Sequence, residues 1–214
     1  MSVEKFEDEK WQNKDQAINF RLEVALAMVD KGPVLDLGCG DGIFLKMLQD
    51  KGIKGQGLDI SDVAVEKAIK RGLAAERFDF SAANLPFADG SFKTVVLLDV
   101  LEHLYQPQNI LREARRMAGE MVAAVPNFNS LPSRLQMLSG RVPENNLAKK
   151  GHIYWFNSKI LRKVLKESGW RVTETRTNTF FEHYFLLKNI FVFLAKVFPG
   201  LFALSFVVKA KKYE

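Results

Sequence analysis

Residues 34–42 read VLDLGCGDG, and residues 57–61 read GLDIS. Val34, Leu35 and Leu37 have the aliphatic content of a short buried strand. Gly38, Gly40 and Gly42 then fall at alternate positions, where the missing Cβ lets the backbone turn sharply and lets a ligand approach it. Ile43, Phe44, Leu45, Met47 and Leu48 supply the apolar face of a helix that starts there. A strand, a glycine turn and a helix, with an acid ending the next apolar run, open a nucleotide-binding βαβ unit.

The identity of the nucleotide turns on details of that turn. A dinucleotide fingerprint needs a third glycine where this chain has Ile43, and no Lys-Ser or Lys-Thr pair follows any glycine turn to make a phosphate loop. The turn holds no basic residue, and Asp36 and Asp41 flank it, an arrangement that suits a cationic sulfonium better than a pyrophosphate. VLDLGCGDG followed by GLDIS resembles the first two signature motifs of the class I S-adenosylmethionine-dependent methyltransferases. ANLPFADGSFKTVVLLD, residues 83–99, resembles the same family's L-P-F-x-[DN]-x-[ST]-F-D signature, with Lys93 where an acid is usual.

The remaining pattern extends that reading. Helical spacing of Ile18, Leu22, Leu26 and Val29 predicts a lead helix over 16–29, with 1–16 as a loose charged arm. Strands are expected over 55–60, 76–80, 92–99, 121–125, 170–178 and 204–211. Helices are expected over 63–70, capped by Ser61 or Asp62, over 107–117, and over 157–168. Alternating strands and helices imply one α/β domain with helices on both faces of a largely parallel sheet. The resemblance implies a seven-stranded Rossmann-like sheet whose last strand is antiparallel.

The motif acids should gather at the carboxyl ends of the strands, where open α/β sheets bind ligands. The resemblance implies that Asp59, with Ile60 beside it, accepts the ribose hydroxyls of S-adenosylmethionine. Asp36, Gly38 and Gly40 would hold the methionine end, Asp79 the adenine amino group, and Phe80 would lie beside the ring. Asp99 ends the fourth strand beside the sulfonium methyl. S-adenosylhomocysteine would be the product.

Transfer to a hydroxyl also needs a group that removes a proton, and imidazole titrates near neutrality. His103, in the stretch Asp99-Val-Leu-Glu102-His103, and His152, in GHIYWF, are the candidates. The first stretch also resembles the acid-x-x-E-H segment of quinone O-methyltransferases, a proposed metal site there; a plain helix-start feature is the competing reading, and no metal is assigned. Cys39, the only cysteine, reads as a small packing residue rather than a nucleophile.

Two segments stand outside the alternation. Residues 126–156 form a connection long enough to be a substrate lid. VPNFNSLPSRLQMLSGR within it, continuing through GHIYWF, is similar to the lid of MetW-like proteins of the methyltransferase type 11 group, associated with methionine biosynthesis. That resemblance implies a second possibility, an accessory protein that binds the cofactor or its product and acts through a partner such as a homoserine acyltransferase. Residues 180–198, FFEHYFLLKNIFVFLAKVF, are apolar nearly all round, with Glu182, Asn189 and Lys196 as a narrow polar stripe. Its charges rule out an ordinary membrane span, so an apolar insertion over 180–200 that meets a second protomer, a protein partner, an apolar small-molecule substrate or a membrane surface is expected.

Composition agrees with a globular protein: 214 residues, 47% hydrophobic and 26% charged. One cysteine excludes an internal disulfide and fits the cytoplasm; the charged first sixteen residues do not read as a signal peptide. The net charge of +6 admits an anionic partner. A nucleic-acid substrate is disfavoured, because strand four ends LLDVLE rather than in N-P-P-[YF] and no basic stripe with interleaved aromatics is present. The expectation is a small-molecule methyltransferase, directed to oxygen.

Overall fold

The computed structural model describes residues 2–12, 15–79, 84–180 and 185–213, with the side chains of 185–188 outside that description. Seven strands form one sheet: β1 (Val34–Leu37), β2 (Gly55–Asp59), β3 (Ala75–Arg77), β4 (Phe92–Leu98), β5 (Ala118–Pro126), β6 (Trp170–Thr179) and β7 (Ala203–Lys212). Their order is β3-β2-β1-β4-β5-β7-β6. Strands β3, β2, β1, β4 and β5 pair in parallel, while β7 runs antiparallel to both β5 and β6. The expected sheet, with its antiparallel last strand, is the one found. The winding reverses between β1 and β4, and that crevice is where such sheets bind ligands.

The pleat explains why these strands are so uniformly apolar. Leu35, Leu37, Val95, Leu97, Met121 and Ala123 point to one face. There they meet Ile110, Leu111, Ala114 and Met117 of the helix α5 (Pro107–Met117) together with Leu161, Val164 and Leu165 of α7 (Ser158–Glu167). Val34, Val96, Val122, Ala124 and Val207 point to the other face, against the helices α2 (Phe20–Met28) and α3 (Ile43–Asp50). A strand covered on both faces has no polar side to show, which is the usual signature of buried parallel strands. Trp170 enters this core with its polar atom satisfied: Nε1 donates to the Leu111 carbonyl at 2.8 Å.

Caps fall where the sequence places them. Asn157 Oδ1 accepts from the amides of Lys159 and Ile160, both at 3.0 Å, and starts α7. Ser61 Oγ accepts from Ala64 N at 3.1 Å and starts α4 (Asp62–Lys70). The third strand is shorter than the expected 76–80, ending at Arg77.

One expectation is corrected, and the two unusual segments gain detail. Residues 1–16 are not simply a loose arm: Val3–Gln12 form a helix, α1. Glu4, Asp8 and Trp11 stand at i, i+4 and i+7 and so share one face, which meets Arg77, the start of α4 and the glycine turn. The lid contains the helix α6 (Leu131–Leu138) and two short 3-10 turns, Glu144–Asn146 and Ala148–Lys150. The apolar segment forms α8 (Phe185–Val197) and α9 (Pro199–Phe202). Phe191 packs against Phe180 and Phe202 and Ala195 is buried, while Ile190, Phe193 and Val197 face solvent.

Candidate functional site

The glycine turn after β1 and the acid after β2 are tied to each other. Asp59 is buried, and its carboxylate accepts from Gly40 N at 2.8 Å and from Ser61 N at 3.0 Å. Gly40 has φ +53°, a conformation that costs glycine little and other residues much. Burial pushes the Asp59 carboxyl up, against the two amides that lower it. Asp36 is also buried, and burial together with the neighbouring Asp59 pushes its carboxyl up to about 8. Cys39 is buried, and burial pushes its thiol well above the ordinary range, which fits the packing role and no nucleophile.

Asp41 does not flank the turn as a free negative charge. It is fully buried, its carboxylate lies 3.0 Å from Arg71 Nη1 and accepts from Gln16 N at 3.0 Å. With Asp41 paired and Asp36 favouring its protonated form, the turn is far less anionic than its sequence suggests. The case against a dinucleotide then stands on Ile43, which is half-buried on α3.

The N-terminal helix crosses the carboxyl edge of the sheet. Glu4 pairs with Arg77 at the end of β3, 2.7 Å away. Asp8 accepts from Ser61 Oγ at 2.6 Å and from Val63 N at 3.3 Å, at the start of α4. Trp11 lies over the glycine turn so closely that a Cβ at Gly40 would stand 2.5 Å from its ring.

Beyond β4, Asp99 has a left-handed backbone (φ +58°) and pairs with Arg21 of α2 at 2.9 Å. A one-turn 3-10 helix, Leu101–His103, follows. The backbone carbonyl of Glu102 accepts from the amides of both Ile153 and Tyr154, at 2.9 and 3.0 Å, which fastens the lid to this turn. The two histidines expected from sequence are thereby brought together, with ring centroids 4.9 Å apart. His103 Nδ1 lies 3.1 Å from the Gly151 carbonyl, and His152 Nδ1 lies 2.8 Å from the Asn145 carbonyl. A carbonyl only accepts, so each Nδ1 carries the proton and each Nε2 keeps its lone pair. Burial is the first cause that lowers both imidazoles, His103 to about 4, which keeps them neutral. Glu102 is 1% exposed, and burial followed by repulsion from Asp99 pushes its carboxyl well above the usual range. Phe128 meets His152 edge-on at 5.4 Å and faces Trp155, giving the lid side an aromatic wall.

Of the expected cofactor residues, Asp36, Gly38, Gly40, Asp59, Ile60 and Asp99 line one edge, at or just after the ends of β1, β2 and β4. Asp79 follows β3 and is exposed. Phe80 lies outside the described residues. Sequence reasoning missed Trp11, Arg21 and Arg71. Arg21 and Arg71 act across 78 and 30 positions of chain, on Asp99 and Asp41, so no local pattern announces them.

Comparison with known proteins adds a family. Residues 20–166 match the family model of the methionine biosynthesis protein MetW. A probable S-adenosylmethionine-dependent methyltransferase of Mycolicibacterium smegmatis is 27% identical over 173 residues, 79% of this chain; the chain spans only 62% of that protein's length. The ubiquinone biosynthesis O-methyltransferase of Pseudomonas aeruginosa is 28% identical over 104 residues, 45% of each chain. Among solved structures, the magnesium protoporphyrin IX methyltransferase of Synechocystis PCC 6803 with bound S-adenosylhomocysteine superposes with a TM-score of 0.70 at 17% identity. It covers 99% of this chain and 98% of its own. At that identity the likeness speaks for the fold.

Proposed function

The chain belongs to the MetW family, and from that premise we propose that it is an S-adenosylmethionine-dependent methyltransferase acting at an oxygen of a small molecule. The observation that carries this reading is the pairing of His103 and His152, each with a lone-pair-bearing Nε2, along the same sheet edge as Asp36, Asp59 and Asp99.

In this reading Asp59 accepts the ribose hydroxyls. Each of its oxygens has a second lone pair beyond the one used by Gly40 N or Ser61 N. Asp36 and the backbone at Gly38 and Gly40 hold the methionine end, and Asp79 and Phe80 the adenine. The acceptor hydroxyl gives its proton to an imidazole as its oxygen attacks the methyl carbon; the carbon–sulfur bond breaks and sulfur keeps the electron pair. The lid residues Phe128, Tyr154 and Trp155 exclude water from the acceptor. The similarity to an O-methyltransferase named for ubiquinone biosynthesis supports oxygen as the target.

A second reading is supported by the family's own name. Here the chain binds the cofactor or its product and acts through a protein partner in methionine biosynthesis. Two experiments separate the readings. Calorimetry with S-adenosylmethionine, S-adenosylhomocysteine and NAD tests the site: binding of the first two and not the third is expected, and NAD binding overturns both readings. Transfer of a labelled methyl group to any small molecule of a cell extract then supports the catalyst. Tight cofactor binding without transfer, together with capture of a homoserine acyltransferase, supports the accessory protein.

A further inference from the structure

We propose that Glu102, His103 and His152 form a binding site for a divalent transition-metal cation, with the lid supplying one of the three ligands. One ligand atom from each residue lies within 4.8 Å of the other two. His152 Nε2 stands 3.9 Å from Glu102 Oε1.

Three features favour a cation over a plain cluster of polar side chains. Both imidazoles donate Nδ1–H to a backbone carbonyl, the outer hydrogen bond that orients metal-binding histidines and fixes their tautomer. Glu102 is almost wholly buried, yet among the described residues its Oε2 meets no hydrogen-bond donor. A buried carboxylate oxygen without a partner is costly, and a cation removes that cost. The geometry is also close to closing. Metal–ligand bonds of about 2.0–2.2 Å in a tetrahedral shell put ligand atoms about 3.3–3.5 Å apart. The Glu102–His152 pair needs a contraction of about half an ångström from its 3.9 Å, and no pair of the three needs more than about 1.5 Å from the 4.8 Å that bounds the cluster.

The ligand set is not the one written in the local sequence. Asp99, which opens the D-x-x-E-H stretch, is turned to Arg21 at 2.9 Å, and the third ligand comes instead from 49 positions beyond His103. Two imidazoles and one carboxylate suit Zn²⁺, Co²⁺, Fe²⁺ or Mn²⁺ better than the all-oxygen preference of Ca²⁺ or Mg²⁺. Three protein ligands leave a coordination position open. On the methyltransferase reading above, on which this last step rests, the open position takes the acceptor oxygen. A cation there would lower the pKa of that hydroxyl and let its proton pass to solvent, taking over the role that a free imidazole has when no cation is bound.

The test is a Co²⁺ titration of the intact protein after chelation and dialysis, followed by calorimetry and by the visible absorption of the bound ion. One equivalent should bind with the absorption of a nitrogen- and oxygen-ligated site. Glu102→Gln, which keeps the side chain's shape, and His152→Ala, which lies on the lid, should each weaken binding at least ~10-fold. Circular dichroism and S-adenosylhomocysteine binding check that each variant is folded, and either one suffices if the other is not. Failure of the parent to bind Co²⁺, or undiminished binding in the folded variants, overturns the proposal. Failure of the parent to bind S-adenosylhomocysteine while it binds Co²⁺ counts against the methyltransferase reading and leaves the cation site standing.

Discussion

Trp11 of the N-terminal helix packs on Gly40 of the glycine turn, with ring atoms 2.5 and 2.6 Å from where a Cβ at Gly40 would be. The same glycine gives its amide to Asp59. The backbone on which a cofactor would rest is thus covered by the chain's own indole. The cover is held at its edges by Glu4–Arg77 and Asp8–Ser61.

A ligand that needs Gly40 must displace this indole, and its apparent affinity is reduced by the fraction of molecules in which the site is covered. Trp11→Ala, or removal of residues 1–12, should therefore tighten S-adenosylhomocysteine binding at least ~3-fold, read by calorimetry. The parent's tryptophan fluorescence should change on binding, and the change should vanish in Trp11→Phe. Weaker binding after removal of the helix would show that α1 is a wall of the occupied pocket instead.

Asp59 serves the fold and the ligand at once. Asp59→Ala removes hydrogen bonds to a charged acceptor, each contributing about 1.5–3 kcal/mol, so cofactor binding should weaken at least ~10-fold. The amides of Gly40 and Ser61 lose their acceptor in the same variant. A lower melting temperature should accompany the loss, and Asp59→Asn should recover part of the stability but not the affinity. Unchanged affinity in Asp59→Ala removes the assignment.

Asp36 should make stability depend on pH. Its folded-state value of about 8 lies above the ordinary 3.8, because burial and Asp59 disfavour its charge. Between those values the unfolded chain has lost the proton and the folded chain keeps it. Its contribution is therefore present at low pH and declines as pH rises through that window, by up to about 1.4 kcal/mol per unit. Asp36→Asn should flatten this slope in urea melts at pH 5 to 8. A cationic ligand group beside Asp36 should also expel its proton: the calorimetric heat of S-adenosylhomocysteine binding at pH 7 should vary with buffer ionisation enthalpy, and not in Asp36→Asn. Equal slopes and buffer-independent heats in both proteins would sink the idea.

His103→Ala and His152→Ala should lose turnover while keeping the cofactor. Removal of a general base typically costs about 10²–10⁴ in rate. A base and a metal ligand give the same loss of turnover, and Co²⁺ binding tells them apart. Normal turnover in both variants would mean an acceptor that arrives already deprotonated.

What was legible in the sequence had local causes. β1 is readable because all four of its residues are buried on a two-sided sheet, and Asn157 and Ser61 are readable as caps because a cap needs only its next three residues. The histidine pair was only half legible: its two members were named, but their meeting depends on the Glu102 carbonyl seizing the lid at Ile153 and Tyr154. α1 was misread because its charged residues hide the single face of Glu4, Asp8 and Trp11. Those side chains find partners far along the chain, Arg77, Ser61 and Gly40, rather than in an apolar stripe of the helix itself.

The apolar helix α8 remains to be accounted for in solution. The sequence reading has the apolar segment over 180–200 meeting a second protomer, a protein partner, an apolar substrate or a membrane surface. The side chains of Phe185 and Leu186 lie outside the described residues; Phe191 and Leu194 are half-buried, and Phe193 is 63% exposed. The exposed apolar side chains are instead Ile190, Phe193, Val197 and Phe198, the first three at i, i+3 and i+7 and so on one stripe. The sheet takes the opposite side, at Ala195. Leu135, Met137, Leu138 and Val142, on and just after α6, add a second exposed apolar group. Contiguous apolar patches on soluble proteins commonly mark interaction surfaces. Sedimentation of the intact chain should show concentration-dependent self-association. Phe193→Glu should abolish it with little change in monomer stability, within about 0.5 kcal/mol, because the side chain leaves no core cavity. A monodisperse monomer at all concentrations that also ignores liposomes would reduce the stripe to ordinary surface.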